Sequence, residues 1–136
     1  MRRWLMAVVL AAALLPSAAR SQDAAPEIRA AISDQIAAFQ TEDIDRAFAH
    51  ASPAVRHRFR SAERFCRMVR DGFPMIWHPA RLQFASRTER DGRTFQNVLI
   101  TDRSGTLYVA EFAMVRVDGD WRIDGVEVRL AEGTSA

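Results

Sequence analysis

Apolar residues recur every three or four positions in the first half of this chain and every second position in the last third, so helices precede strands. After a flexible stretch from Ser21 to Ala25, Pro26 marks the first turn of a helix. Ile28, Ile32, Ile36 and Phe39 form its apolar stripe, with Arg29, Asp34 and Gln40 facing elsewhere. Thr41, followed by Glu42 and Asp43, reads as a capping hydroxyl with acids suited to a helix N-terminus. The short helix behind it turns Ile44, Ala47, Phe48 and Ala51 inward. Ser52-Pro53 and Ser61 cap two more short helices, with Val55 and Phe59 inward on one and Phe65, Cys66 and Val69 on the other. Gly72 is predicted to end the last of these in a left-handed conformation, and Phe73-Pro74 to turn the chain out of helical geometry.

From Arg81 the period drops to two. Leu82 and Phe84 alternate with polar residues up to the turn dipeptide Asp91-Gly92, and Phe95, Val98 and Ile100 lead to a turn at Asp102-Arg103-Ser104-Gly105. The third strand, Thr106 to Val117, is apolar on both phases, so both faces are covered, or one lines a cavity or an interface. Asp118-Gly119 makes the last hairpin. Beyond it, Trp121 and Ile123 share one phase and Val126, Val128 and Leu130 the other. That slip predicts a β-bulge at Asp124-Gly125, with Gly125 supplying an unusual backbone conformation. The expected fold is α+β: N-terminal helices packed on a curved four-stranded antiparallel β-meander with a concave face and an open end.

The N-terminus follows a different logic. Arg2 and Arg3 precede an apolar run from Trp4 to Leu15, then Pro16 and small residues, the order of a secretory signal peptide. The run is too short to span a bilayer, which takes about 20 residues. Cleavage is expected after Ala19 or Ser21, so residues 1–21 are read as a signal and 22–136 as one domain, periplasmic or secreted and without an integral membrane segment. The full chain has 19 basic and 17 acidic residues. Cleavage after Ala19 leaves 17 against 17, and after Ser21 leaves 16 against 17, so the mature protein is near neutral. A general attraction to nucleic acid is therefore excluded.

Cys66 is the single cysteine, so no internal disulfide forms and packing supplies the stability. On the apolar side of a helix it reads as a small buried hydrophobe rather than a nucleophile. His50, His57 and His78 lack the short spacing that puts imidazoles on one helix face, so neither a metal nor any other cofactor is expected.

Several segments together resemble the bacterial family called domain of unknown function 4864, within the nuclear-transport-factor-two-like, cystatin-like superfamily. They are Ala38-Phe39-Gln40, Ala47 to Pro53, Phe65 with Met68-Val69, Phe73-Pro74, and Asp118 to Val126. The resemblance implies a cone-shaped fold and transfers no active site. This chain departs from the family pattern at Arg60, where a small residue is expected, and at Phe73, where tyrosine is expected before proline.

Enzymes of that superfamily place a carboxylate or histidine in the cone as a general base, which points to Glu111 and Asp124. Glu111 interrupts an apolar phase of the third strand; a buried carboxyl there would have a raised pKa. Trp77, Tyr108 and Phe112, with Glu111, are the expected pocket lining, and Trp121 a plug on the first helix. Arg60, Arg64 and Arg67, in a run that also holds Arg56, Arg58, Arg70 and His57, form a candidate anion or partner patch. The plainer account is a solvated face, with Glu63 placed to pair with Arg67. The function favoured by these residues is a non-catalytic module that binds a small apolar ligand in the cone or a protein partner on the sheet's outer face. A small isomerase- or hydrolase-like enzyme is the alternative, and a homodimer packed through the sheet faces a third reading.

Overall fold

The computed structural model describes the backbone of residues 18–132 and the side chains of residues 25–132; all but the last four positions of the expected signal segment lie outside the described residues. Five helices come first: α1 (Ala18–Gln40), α2 (Ile44–Ala49), α3 (Pro53–Phe59), α4 (Ala62–Gly72) and α5 (Pro74–Trp77). Four strands follow: β1 (Arg81–Arg90), β2 (Arg93–Thr101), β3 (Leu107–Val117) and β4 (Asp120–Leu130), antiparallel in the order β1-β2-β3-β4. The α+β order read from the periodicities is the order observed.

The helices bury one face of this sheet. Ile28, Ile32, Ile36 and Phe39 of α1 are almost fully buried, and so are Val98 and Ile100 of β2 and Ala110 and Phe112 of β3. Phe39 sits at the centre, its ring 5.3 Å from Trp77 and 6.0 Å from Phe65. Burying such side chains contributes roughly 1.5–3 kcal/mol each. On the opposite face, Leu99, Leu107, Val109, Ala113 and Val115 are only half-buried, and no described element covers them.

The helix boundaries differ in detail from those expected. Instead of starting at Pro26, α1 runs through it from Ala18, forgoing the bond a non-proline would donate to the Gln22 carbonyl. Asp43, not Thr41, caps α2, accepting from the Arg46 amide. The Thr41 hydroxyl donates back to the Ala37 and Ala38 carbonyls and closes α1 instead. Ser52 and Ser61 cap α3 and α4 as expected. Gly72 is the last residue of α4 without a left-handed backbone, and Pro74 at once begins the extra turn α5. The left-handed cap falls on Arg60 (φ 70°), which ends α3 by donating its amide to the Arg56 carbonyl. A Cβ is itself disfavoured in that conformation, so glycine suits this position better than arginine.

Both tight hairpins are Asp-Gly pairs with positive φ at both positions, Asp91-Gly92 (52° and 73°) and Asp118-Gly119 (50° and 85°). Their twist matches that of the strands they join. Two bulges interrupt the ladders. In β4, Gly125 pairs with Ala113 and Ile123 with Met114, so Asp124 is the extra residue. The bulge is where the phase slip put it, but Gly125 is not in the left-handed region. In β1, Ala85 and Ser86 oppose Asn97 alone. The buried Gln96 amide donates to the Ala85 and Asn97 carbonyls there, satisfying groups the ladder leaves unpaired.

Arg60→Gly is expected to stabilise the fold by about 1 kcal/mol through relief of the left-handed backbone, read as a higher urea midpoint at constant slope. Cys66 is buried, and burial, then the Asp45 charge, pushes its thiol up to about 11. Native protein at pH 8 should resist iodoacetamide and react quickly in urea. Since the folded value lies above the unfolded value of roughly 8.5, this thiol's contribution to stability is complete below the lower value and fades as pH climbs toward about 11.

Candidate functional site

The helices and the inner face of the sheet do not close on each other completely. Between them lies a cavity of about 250 Å³. Phe39, Phe59, Phe65, Phe73 and Phe112 contribute aromatic walls from α1, α3, α4, the α4–α5 junction and β3. Val55, Met68, Val69, Ile76, Ile123 and Val126 complete the apolar lining.

Three polar side chains reach this space: Gln35, Arg58 and Asp124. Gln35 lies on the apolar stripe of α1, is 3% exposed, and donates its Nε2 to the Ala47 carbonyl at 3.1 Å. Asp124 is the bulge residue. One oxygen accepts from the Ser52 hydroxyl at 2.7 Å and the other from Arg93 at 3.2 Å. Ser52, in turn, accepts from the Val55 amide through the same hydroxyl and caps α3. Arg58 is exposed and stands at the solvent end of a lining that is otherwise buried or half-buried, apart from its neighbours' edges.

The backbone fixes this corner. The Ser52 amide donates to the Ile123 carbonyl and the Ile123 amide to the His50 carbonyl, both at 2.8 Å, so Ala51 bridges β4 in parallel. The segments Ala47 to Pro53 and Asp118 to Val126, far apart in sequence, therefore meet beside the cavity. Gly125 lies on its rim, and a Cβ there would find no atom within 4 Å. Its role at this position is to leave space, not to adopt a special backbone.

Of the four expected pocket residues, only Phe112 lines the cavity. Trp77 is buried against Phe39, and with Tyr108 it borders a separate shallow depression beside Asp102 and Ser104. Glu111 shares the phase of Val109 and Ala113 and lies on the face turned away from the helices, so it is not in the cavity wall. Arg90 holds it there with two hydrogen bonds of 2.8 and 3.2 Å while stacking over Phe95 at 4.1 Å. The Arg90 guanidinium keeps the Glu111 carboxyl below its ordinary range, the reverse of the raised value that a buried proton shuttle needs.

The arginine run divides. Arg58 reaches the cavity, whereas Arg60, Arg64 and Arg67 do not. The expected Glu63–Arg67 pair does not form within 4.0 Å among the described residues. No group of three metal-ligating side chains occurs among the described residues.

A second polar cluster lies at the far end of α1, in an open depression that Trp121 borders with Ala30 and Ala31. There Asp34 accepts from both Arg46 and the His50 Nε2, tying α1 to the segment after α2. Burial, then Arg122 and Arg46, holds the His50 imidazole below its ordinary value; Asp34 pulls the other way, but its charge is shared with Arg46. Asp124 is one of the two carboxylates expected in the cone, and it lines the cavity. The Asp34 contact and the approach of Gln35 and Arg58 to the cavity could not be found from spacing. The one local signal for them was Gln35, a polar residue interrupting an apolar helical stripe.

No helix among the described residues is long and apolar enough to cross a membrane. No curated protein and no solved structure matches the chain. A family match covers residues 21–136, all but the expected signal segment, and the chain belongs to the family described as "Domain of unknown function (DUF4864)".

Proposed function

We propose that this is an exported, non-catalytic module that holds a small apolar ligand in a cone-like hollow between its helices and its sheet. The observation that carries this reading is the cavity of about 250 Å³ with five phenylalanine rings in its walls. Cavities of about 150 Å³ take benzene, and drug-sized ligands occupy roughly 300–1,000 Å³. The expected occupant lies between these: a short acyl chain or a one- or two-ring aromatic.

Binding is favoured over catalysis by the state of the carboxylates. Asp124 is the one carboxylate in the cavity lining, and both its oxygens are engaged, one by the Ser52 hydroxyl that caps α3 and the other by Arg93 of β2. A general base needs a free oxygen within hydrogen-bond reach of the proton it removes. Glu111 is on the other face. Export rests on the N-terminal pattern of Arg2-Arg3, an apolar run and small residues. It is compatible with the fold, since Ile28 is the first buried side chain among those described, beyond either cleavage site.

Titration calorimetry with decanol should show saturable binding at one site. Val126→Phe, which adds volume beside Phe112, should weaken it at least about tenfold with stability intact, because the added ring occupies the ligand's space. Glu111→Gln should leave it unchanged. Absence of saturable uptake by the wild-type protein, or equal uptake by Val126→Phe, would defeat the reading. For export, Edman sequencing of protein released from the periplasm of an expressing bacterium should begin at Arg20 or Gln22; a start at Met1 would exclude cleavage.

A further inference from the structure

The chemistry of the ligand's other end is written in the charges at the cavity's mouth. Arg58 lines the cavity and is exposed, and it has neither an ion pair nor a side-chain hydrogen bond among the described residues. The carboxylate nearest in the lining, Asp124, is already offset by Arg93 at 3.2 Å and by the Ser52 hydroxyl. One Gln35 N–H is used on the Ala47 carbonyl. Beside apolar walls, the lining therefore offers one cation without an ion pair among the described residues, Arg58, and the rest of the Gln35 amide.

Arg56, on the same helix, and Arg60, its C-cap, are likewise without an ion pair among the described residues, but neither lines the cavity. Arg58 is therefore the one cation in the lining. A guanidinium at the edge of a low-dielectric cavity binds a carboxylate through paired charge-assisted hydrogen bonds more strongly than it binds a hydroxyl.

We propose that the ligand is an amphipathic acid: an apolar body in the cavity and a carboxylate at its mouth, seated on Arg58. This rests on the ligand-binding reading above and narrows it to a chemical class. The fully apolar ligand leaves Arg58 without a role; the acid gives the mouth and the hollow one occupant.

The test compares decanoate with decanol, which share a chain and differ in the head group, by calorimetry at pH 8 where the acid is ionised. Wild-type protein is expected to bind decanoate more tightly, by on the order of tenfold, the ratio that one charge-assisted contact supplies. Arg58→Met, which keeps the apolar stem, should remove that preference and leave decanol binding within about twofold. Arg56→Met, on the same helix but not in the lining, should keep most of it. Equal affinity for the two probes in the wild type would overturn the proposal, as would an undiminished preference in Arg58→Met or an equal loss in Arg56→Met. In each of those cases binding of decanol would preserve the ligand-binding reading; failure of both probes would remove the reading and the proposal together.

Discussion

The molecule depends on the splice between the residues that follow α2 and the bulge of β4. Two backbone hydrogen bonds join His50 and Ser52 to Ile123, and the Ser52 hydroxyl adds a third bond, to Asp124, while capping α3. Helices and sheet in an α+β fold are otherwise held by side-chain packing, which is strong but tolerates sliding. Directional bonds at one point remove that freedom. They set where α3 leaves the sheet, and hence where Arg58 stands relative to the cavity. The extra residue in β4 is what makes the splice possible, because a regular ladder would turn Asp124 away from Ser52.

The apolar content of the interior explains why the hollow survives. Aromatic rings from several helices meet around Phe39 and Phe65, at centroid distances of 5.3–6.0 Å. Rings in tilted and edge-on contact are stiff spacers, and they cannot collapse into a gap as a methionine chain can. Phe59 and Phe73, half-buried at the opening, complete the wall without filling it. The two buried glutamines each donate to backbone carbonyls, Gln35 to Ala47 and Gln96 to Ala85 and Asn97.

Much of this architecture was legible in the chain. The change of period after Arg81, the two Asp-Gly hairpins, the serine caps of α3 and α4, and the bulge at Asp124 all follow from local rules, and the structure has each of them. What local rules missed was where each helix end falls. Asp43 took the cap that Thr41 also fitted, and a left-handed backbone ends α3 at Arg60 but does not end α4 at Gly72. The cavity was less legible still. Alternation in β3 put Phe112 and Glu111 on opposite phases, but it could not say which phase the helices would bury, or that Glu111 would find Arg90 two strands away on the other face. Nor could it say that Arg58, out of the arginines of α3 and α4, would line the cavity. Those facts come from how helices and strands dock, and a one-dimensional pattern carries no signal for them.

Gly125 has a consequence for divergence. It stands on the rim with unoccupied space around its missing side chain and with an ordinary backbone, so substitutions there strain nothing. A related protein could narrow or reshape the doorway by changing that single codon, keeping every helix and strand in place. Selectivity would then vary across relatives at a position where foldability does not constrain it.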